Sequence, residues 1–389
     1  MKERIAITGI GSISPLGGSL EAAWARYRDT DHCFTERHVN ACNYPIAPVD
    51  PNLESAIEEL RNSDHRYKDL DRSVLFAIEA SRRALDMSGW KKKADFGVNI
   101  GSSRGATGLF EEYHKTYLEK GYAPTLTSPT TTLGNIASWV GHDLQSQGPV
   151  ISHSITCSTA LHAVLNGYAW IRSGLTGKFL AGGSEASLTP FTLAQMRSLK
   201  IYGTAGETYP CKALDMDKTR NSMVLGEGAS MVCMEKDPEG TSLAYISGIG
   251  YATERLKHNI SISADAKCFQ RSMKMALGVL NPSDVDVVVM HAPGTIKGDL
   301  SEIKAIRSVF GETTPGLTSN KWKVGHTFGA SGALSLELAV LMLKHQEFIG
   351  VPFIKEQHGL IPSKISRILV NAVGFGGNAV SVLLERSNL

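Results

Sequence analysis

Short runs of β-branched and aliphatic residues alternate along the chain with longer stretches in which apolar positions recur every three or four residues. The short runs, at 4–8, 96–100, 178–181, 285–290, 367–373 and 380–384, are bounded by Gly, Pro or polar residues and predict strands. The longer ones predict helices over 73–87, 157–172, 267–280, 301–310 and 333–344. In the second of these, Leu161, Val164, Tyr168 and Ile171 share one face, and Ser173-Gly174 supplies a stop. Strand and helix periods interleaved in this way predict layered α/β architecture.

The longest unbroken apolar run, Leu338 to Leu343, is far short of the roughly 20 residues that cross a bilayer. A breaker at Asp237-Pro238-Glu239-Gly240 separates two strand-like stretches and divides the chain into residues 1–237 and 238–389. Each half holds a glycine- and serine-rich turn opening a long amphipathic helix, at Thr156-Cys157-Ser158 and again from Gly325-His326 to Gly332. That is a hint of duplication, although no literal repeat is visible.

With 389 residues the chain can bury one large core or two fused ones. Lys plus Arg number 40 against 38 Asp plus Glu, without a charge block, so electrostatics point to neither nucleic acid nor a membrane surface. None of the six cysteines forms a CxxC pair, which fits reduced thiols and leaves no metal or cofactor to expect. The opening Met1-Lys2-Glu3-Arg4 carries an acid and runs into a β-like stretch broken by Gly9 and Gly11. It is unlike an export signal, and a cytoplasmic protein is expected. Gly9-Ile10-Gly11-Ser12-Ile13-Ser14 begins like a dinucleotide fingerprint but lacks the third glycine and a downstream acid, so nucleotide binding is rejected.

Cys157 follows the strand-like Pro149-Val150-Ile151 and stands at a predicted helix start, where unpaired N–H groups and the positive dipole end favour a thiolate. A free thiol has a pKa of about 8.5, and lowering it to about 7 would ionise half of it at neutrality. On position alone a small buried core cysteine is the favoured reading. His291 closes the run Val287-Val288-Val289-Met290, at the carboxyl end of a buried strand, where α/β proteins place their sites and where a structural histidine also fits. Asp299-x-x-Glu302 opens a predicted helix and reads as a capping box. His326 ends Lys321-Trp322-Lys323-Val324-Gly325-His326 and precedes small residues that allow close backbone packing. Gly374-Phe375-Gly376-Gly377-Asn378 joins two strand signals and is too glycine-rich for a plain hairpin, which suits backbone that approaches a ligand or offers N–H donors.

In order, Cys157, His291, the Lys-x-x-x-Gly-His of Lys321 and His326, and Gly-Phe-Gly-Gly resemble the elongating-type β-ketoacyl-acyl-carrier-protein synthases of the thiolase superfamily. The stretches at 7–17, 181–186 and 224–229 match further landmarks of that family, so the resemblance spans the chain. Asp299 and Glu302 stand eight and eleven residues after His291, and Lys321 five before His326, as the family's pattern requires.

The resemblance implies a thiolase-like fold with a duplicated five-layered α-β-α-β-α arrangement. It implies Cys157, His291 and His326 as the catalytic triad, with Lys321 and Glu302 as an ion pair that holds His326. Phe375 would gate the passage between the acyl and malonyl sides, with Thr295, Gly376 and Gly377 on the substrate-binding side. In the implied reaction Cys157 takes an acyl group from its carrier as a thioester, malonyl-carrier loses carbon dioxide, and the carbanion attacks the acyl-Cys. Two neutral imidazoles would donate N–H to the enolate oxygen, and the backbone N–H groups of Cys157 and Phe375 would hold the acyl carbonyl.

Three departures from the family's pattern stand out. Asn221-Ser222 and Ala292-Pro293-Gly294 replace its usual residues. Arg104 replaces an apolar residue at the bottom of the acyl pocket, where an unpaired guanidinium beside an alkyl chain is costly. A specialised ketosynthase, of polyene, aryl polyene or aromatic polyketide type, is therefore weighed equally with fatty-acid elongation. A degradative thiolase is excluded because no cysteine follows Cys268. The alternative is a non-catalytic, chain-length-factor-like partner subunit, which typically lacks the nucleophile. The implied partners are acyl- and malonyl-loaded carrier protein and a second subunit, in a homodimer or a heterodimer with a chain-length-factor-like chain. Arg61, Arg66, Lys68 and Arg72 are candidates to meet an acidic carrier.

Overall fold

The computed structural model describes residues 4–238, 240–255 and 262–387. The expectations placed on residues 1–3 and on Glu239 of the breaker lie outside them. Among the described residues ten strands form the main sheet. In the first half they are β1 (Ile5–Ile13), β2 (Gly97–Gly101), β3 (Val150–Ile151), β4 (Lys178–Glu185) and β5 (Gly228–Lys236). In the second they are β6 (Ala244–Thr253), β7 (Val287–Val289), β8 (Gly316–Thr318), β9 (Arg367–Gly374) and β10 (Asn378–Arg386).

The strand order is β8-β7-β9-β10-β6-β1-β5-β4-β2-β3. The halves meet where Ile5, Ala6 and Ile7 of β1 pair with Ile246, Tyr245 and Ala244 of β6. Outward from that seam the first half reads β1-β5-β4-β2-β3 and the second β6-β10-β9-β7-β8. In each, the first two pairings are antiparallel and the last two parallel. The topology is therefore duplicated strand for strand, which the sequence only hinted at.

Five helices build the remaining layers: α1 (Arg72–Ser88), α2 (Thr159–Arg172), α3 (Lys267–Leu277), α4 (Ile296–Phe310) and α5 (Ser331–His345). The apolar residues of β9 alternate between two cores, as a strand covered on both faces requires. Ile368, Val370 and Ala372 pack with Leu161 and Val164 of α2 and with the Leu336–Leu343 stretch of α5. Leu369 and Val373 pack with Phe269 and Met273 of α3 and Ile306 of α4. A third core sets α1 against β2 and β5. The two halves of the sheet thus pack on α2 and α5 as the buried middle layer, giving helix, half-sheet, helix, half-sheet, helix. Residues Ser331 to Leu343 of α5 are all buried, which is why its apolar run is so dense. Among the described residues no helix is long and apolar enough to cross a membrane.

Several boundaries differ from the sequence reading. β1 continues through Gly9 and Gly11, with its pairing to β5 shifted in register between Ile7 and Gly9; a Cβ on Gly9 would overlap the carbonyl oxygen of Ala84, and one on Gly11 that of Ala80. These glycines serve the close approach of α1, not a phosphate. α2 begins at Thr159, two residues after Cys157, α4 already at Ile296, and α3 ends at Leu277.

Candidate active site

Three turns at strand ends converge. Cys157 lies between β3 and α2, and His326 holds the duplicated position between β8 and α5. His291 follows β7, two residues after its last strand residue. Each turn contains a non-glycine residue with positive φ: Thr156 (48°) before Cys157, Ala292 (21°) after His291, and Phe328 (41°) two residues after His326. Such backbone persists only where the surroundings enforce it, and it clusters at functional sites.

A cavity of about 470 Å³ is lined by Cys157, His291 and His326 together with Thr295, Glu302 and Phe375. The two imidazoles meet edge to face, with ring centroids 5.2 Å apart and planes at 87°. His326 is fixed through its backbone: its N–H donates to the carbonyl of Val224 at 2.6 Å, and its carbonyl accepts from Gly226 at 3.1 Å. Its Nδ1 is buried without a hydrogen-bond partner. Burial and the Lys321 charge push His326 down to about 3, and burial, His326 and Lys321 hold His291 well below the usual imidazole range. Both rings are neutral at pH 7.

Cys157 departs from expectation. It is 6 % exposed, and burial, reinforced by the Glu185 charge, pushes its thiol up to about 12, against the opposite pull of Lys321 and Arg104. It also precedes the first helical residue by two positions, too early to cap α2. At neutral pH the Cys157 side chain therefore rests as a thiol.

The capping-box reading of Asp299 and Glu302 is also replaced. Thr295 is the N-cap of α4, its Oγ1 accepting from the Gly298 N–H at 3.2 Å. Glu302 faces inward and accepts from the N–H groups of His291 (3.0 Å) and Ala292 (2.9 Å) and from the Asn371 amide (3.2 Å). Asp299 accepts from Lys218 Nζ (2.8 Å) and from the N–H groups of Leu214 (3.1 Å) and Gly294 (3.1 Å). Glu302 thus fixes the His291 turn and not His326. The Lys321 ammonium donates to Asn320 Oδ1 (3.0 Å) and Ser335 Oγ (3.1 Å). The expected Lys321–Glu302 contact pair is absent, although the Glu302 charge supports the ammonium of Lys321, which burial lowers to about 8.

Lys321, Arg104, Gly376 and Gly377 do not line the cavity. Gly376 and Gly377, at φ of 95° and 72°, turn the loop that presents Phe375. Gly374 lies against Thr156, where a Cβ would overlap Thr156 Oγ1. Arg104 lies behind Phe328, its guanidinium 5.5 Å from that ring's centroid and hydrogen-bonded to Gln195. Asn221 and Ser222 are structural ties: Asn221 Oδ1 accepts from the Ile296 N–H at 3.0 Å, and Ser222 Oγ donates to the Gly294 carbonyl at 2.9 Å. Of the basic group, Arg66 pairs with Asp64, Arg72 with Glu54, and Arg61 donates to the carbonyls of Lys68 and Leu70. None of the four lines the cavity. Sequence reasoning missed Asn371, Asn320 and Ser335, which follow no motif, and it took Glu185 only as a landmark. Among the described residues no group of three or more His, Cys, Asp or Glu side chains is arranged to hold a metal ion.

Residues 2–239 match the β-ketoacyl synthase N-terminal domain and residues 243–352 the β-ketoacyl synthase C-terminal domain. The chain is 28 % identical over 418 residues to a 3-oxoacyl-[acyl-carrier-protein] synthase 2 of Vibrio harveyi, and the match covers 99 % of each. A β-ketoacyl synthase from Burkholderia phymatum STM815 superimposes with a TM-score of 0.84 at 22 % identity, over 99 % of this chain and 100 % of that one. The ketosynthase ApeO, solved with its chain length factor ApeC from Xenorhabdus doucetiae, gives a TM-score of 0.81 at 19 % identity, over 99 % of this chain and 98 % of that one. At these identities the structural likeness concerns the fold.

Proposed function

The chain belongs to the β-ketoacyl synthase family, and on that premise we propose that Cys157 is its nucleophile and His291 and His326 its oxyanion donors in condensing an acyl group with malonyl-carrier. The observation that carries this reading is the meeting of the three side chains on one cavity with both imidazoles neutral. First, the Cys157 sulfur attacks the carrier's acyl thioester and the carrier thiolate leaves. The Cys157 proton passes to a neutral imidazole of the cavity and on to the carrier sulfur. The malonyl-carrier then loses carbon dioxide, and the electron pair of the broken bond moves onto the thioester oxygen as an enolate. N–H groups of the two imidazoles stabilise it. Its α-carbon attacks the acyl-Cys157 carbonyl, expels the Cys157 thiolate and leaves a β-ketoacyl-carrier two carbons longer, with one proton consumed. The Cys157 and Phe375 N–H groups hold the acyl carbonyl in this scheme. Contact between Thr156 Oγ1 and the Phe375 carbonyl, at 3.5 Å, supports their pairing.

Glu302, by fixing the His291 turn, and Lys321, by its charge, are supporting residues. The half-exposed Phe375 ring, on its two-glycine loop, acts as the gate. Retention of Cys157 with both histidines weighs against a non-catalytic partner subunit. The Arg104 guanidinium behind Phe328 favours a shorter or polar-ended acyl chain, as in specialised polyene or polyketide elongation. Arg104→Ile is then expected to shift preference toward long saturated acyl groups, read by competition between acyl-carriers, and an unchanged preference contradicts that assignment. The partners are acyl carrier protein and a second subunit, alike or chain-length-factor-like, in the cytoplasm. The edge strand β3 and the exposed Phe110, Tyr117 and Leu118 of the Thr107–Lys120 helix support subunit pairing.

The test is mass analysis of the carrier after incubation with acyl- and malonyl-carrier, which should give the acyl group extended by a two-carbon β-keto unit and release carbon dioxide. Unchanged acyl-carrier refutes the reading. The buried histidines also fix a pH dependence. Their protonation, which would remove the ring nitrogen that accepts the Cys157 proton, begins well below the ordinary value near 6.5, so kcat should show no loss centred at pH 6 to 7. A falling limb near 6.5, assigned to His326 by its loss in a His326 variant, would contradict the buried neutral state.

A further inference from the structure

Glu185, the last residue of β4, is fully buried and has no part in the scheme above. Its Oε1 accepts from the Ser102 hydroxyl at 2.9 Å and the Arg104 N–H at 3.1 Å. Its Oε2 accepts from the N–H groups of Ser103 at 2.8 Å and Gly329 at 2.9 Å. Four donors on two oxygens match the acceptor capacity of an ionised carboxylate. Three of them are backbone N–H groups with no lone pair to receive a carboxylic proton. The Ser102 hydroxyl already accepts from the Gly105 N–H at 2.9 Å. Burial works the other way and pushes the carboxyl up to about 7.

The donors come from both halves of the chain. Ser102 to Arg104 form the turn after β2, the duplicated counterpart of the His291 turn after β7. Gly329 lies three residues after His326, beside the positive-φ Phe328 that lines the cavity. One carboxylate therefore joins the turn that carries Arg104 to the turn that carries His326. We infer that Glu185 is a positioning residue that locks these two turns together and whose carboxylate, when ionised, opposes the thiolate form of Cys157. The inference rests on Cys157 as the nucleophile. The other charged or titratable groups that line this cavity or act on that thiol are Lys321 and His326 ahead of α5, His291 after β7, Arg104 after β2, and Lys297 and Glu302 from α4. Among these neighbours Glu185 is the one whose charge opposes the thiolate most.

The test is iodoacetamide alkylation of the Cys157 peptide, followed by mass spectrometry across pH in the full chain, alongside the condensation rate. In Glu185→Gln, loss of the negative charge should displace the alkylation profile to lower pH by about one unit, hence about tenfold faster labelling at pH 8, while condensation slows. Glu185→Asp, which keeps the charge, should restore the wild-type profile. Ser102→Ala removes a donor that favours the ionised carboxyl and should displace the profile the same way by less; it decides the matter where Glu185→Gln does not fold. A profile unmoved, or moved to higher pH, in the folded variants overturns the inference. Failure of Cys157 itself would appear separately, as acyl loading that survives Cys157→Ala.

Discussion

Replacing Cys157 by alanine should abolish acyl loading and lower the condensation rate by at least about 10³-fold. In the proposed scheme its sulfur divides the reaction into transfer and attack, and none of the other described cysteines lines the cavity. Cys211, the neighbour nearest in kind, is buried behind the His291 turn, within contact range of a Cβ on Gly294. Stability should change little, because a small side chain in the apolar cluster with Met196, Met223 and Phe328 is exchanged for a slightly smaller one. The measurement is steady-state formation of β-ketoacyl-carrier, with the thermal midpoint as control. Residual condensation within tenfold of wild type would move the nucleophile elsewhere.

His291→Ala should divide the two half-reactions. Acyl transfer to Cys157 should stay within about tenfold, while decarboxylation and condensation fall by about 10²–10³-fold, the usual consequence of losing one oxyanion donor. The separation follows from the site: His291 is tied through Glu302 to α4, on the Thr295 side of the cavity, whereas Cys157 belongs to the β3–α2 turn. Single-turnover acylation and carbon dioxide release report the two steps separately. Equal loss in both would mean that His291 serves the thiol rather than the enolate. Because the two rings touch edge to face, the loss in a double variant should be less than the product of the single losses.

Much of the site was legible in the chain because its residues sit where periodicity breaks. His291 follows a run of valines, Cys157 and His326 stand just before the two helices of the middle layer, and glycines flank Phe375. Duplication was only hinted at, since it resides in strand order and direction, which different side chains satisfy equally well. Three readings failed for a common physical reason, which is that sequence position does not report burial. Cys157 was assigned an eased thiolate from its place near a helix start, yet desolvation dominates there. Asp299 and Glu302 read as a capping box, whereas α4 starts a turn earlier and turns both carboxylates into the protein. The resemblance paired Glu302 with Lys321, but backbone N–H groups of the His291 turn hold its carboxylate instead. Glu185 could have been noticed as an acid closing the strand-like Phe179 to Ala181 and the two glycines that follow, where an unpartnered charge would be costly.

The central claim, that this chain carries its acyl group on Cys157, is tested most directly by intact mass spectrometry. The protein would be incubated with short, medium, unsaturated and aromatic acyl-carriers, with Cys157→Ala in parallel. The account predicts a mass gain equal to the acyl group, absent in the variant, with the preferred donor choosing between fatty-acid and polyene or polyketide elongation. A gain that persists in Cys157→Ala, or no gain with any donor, would contradict it.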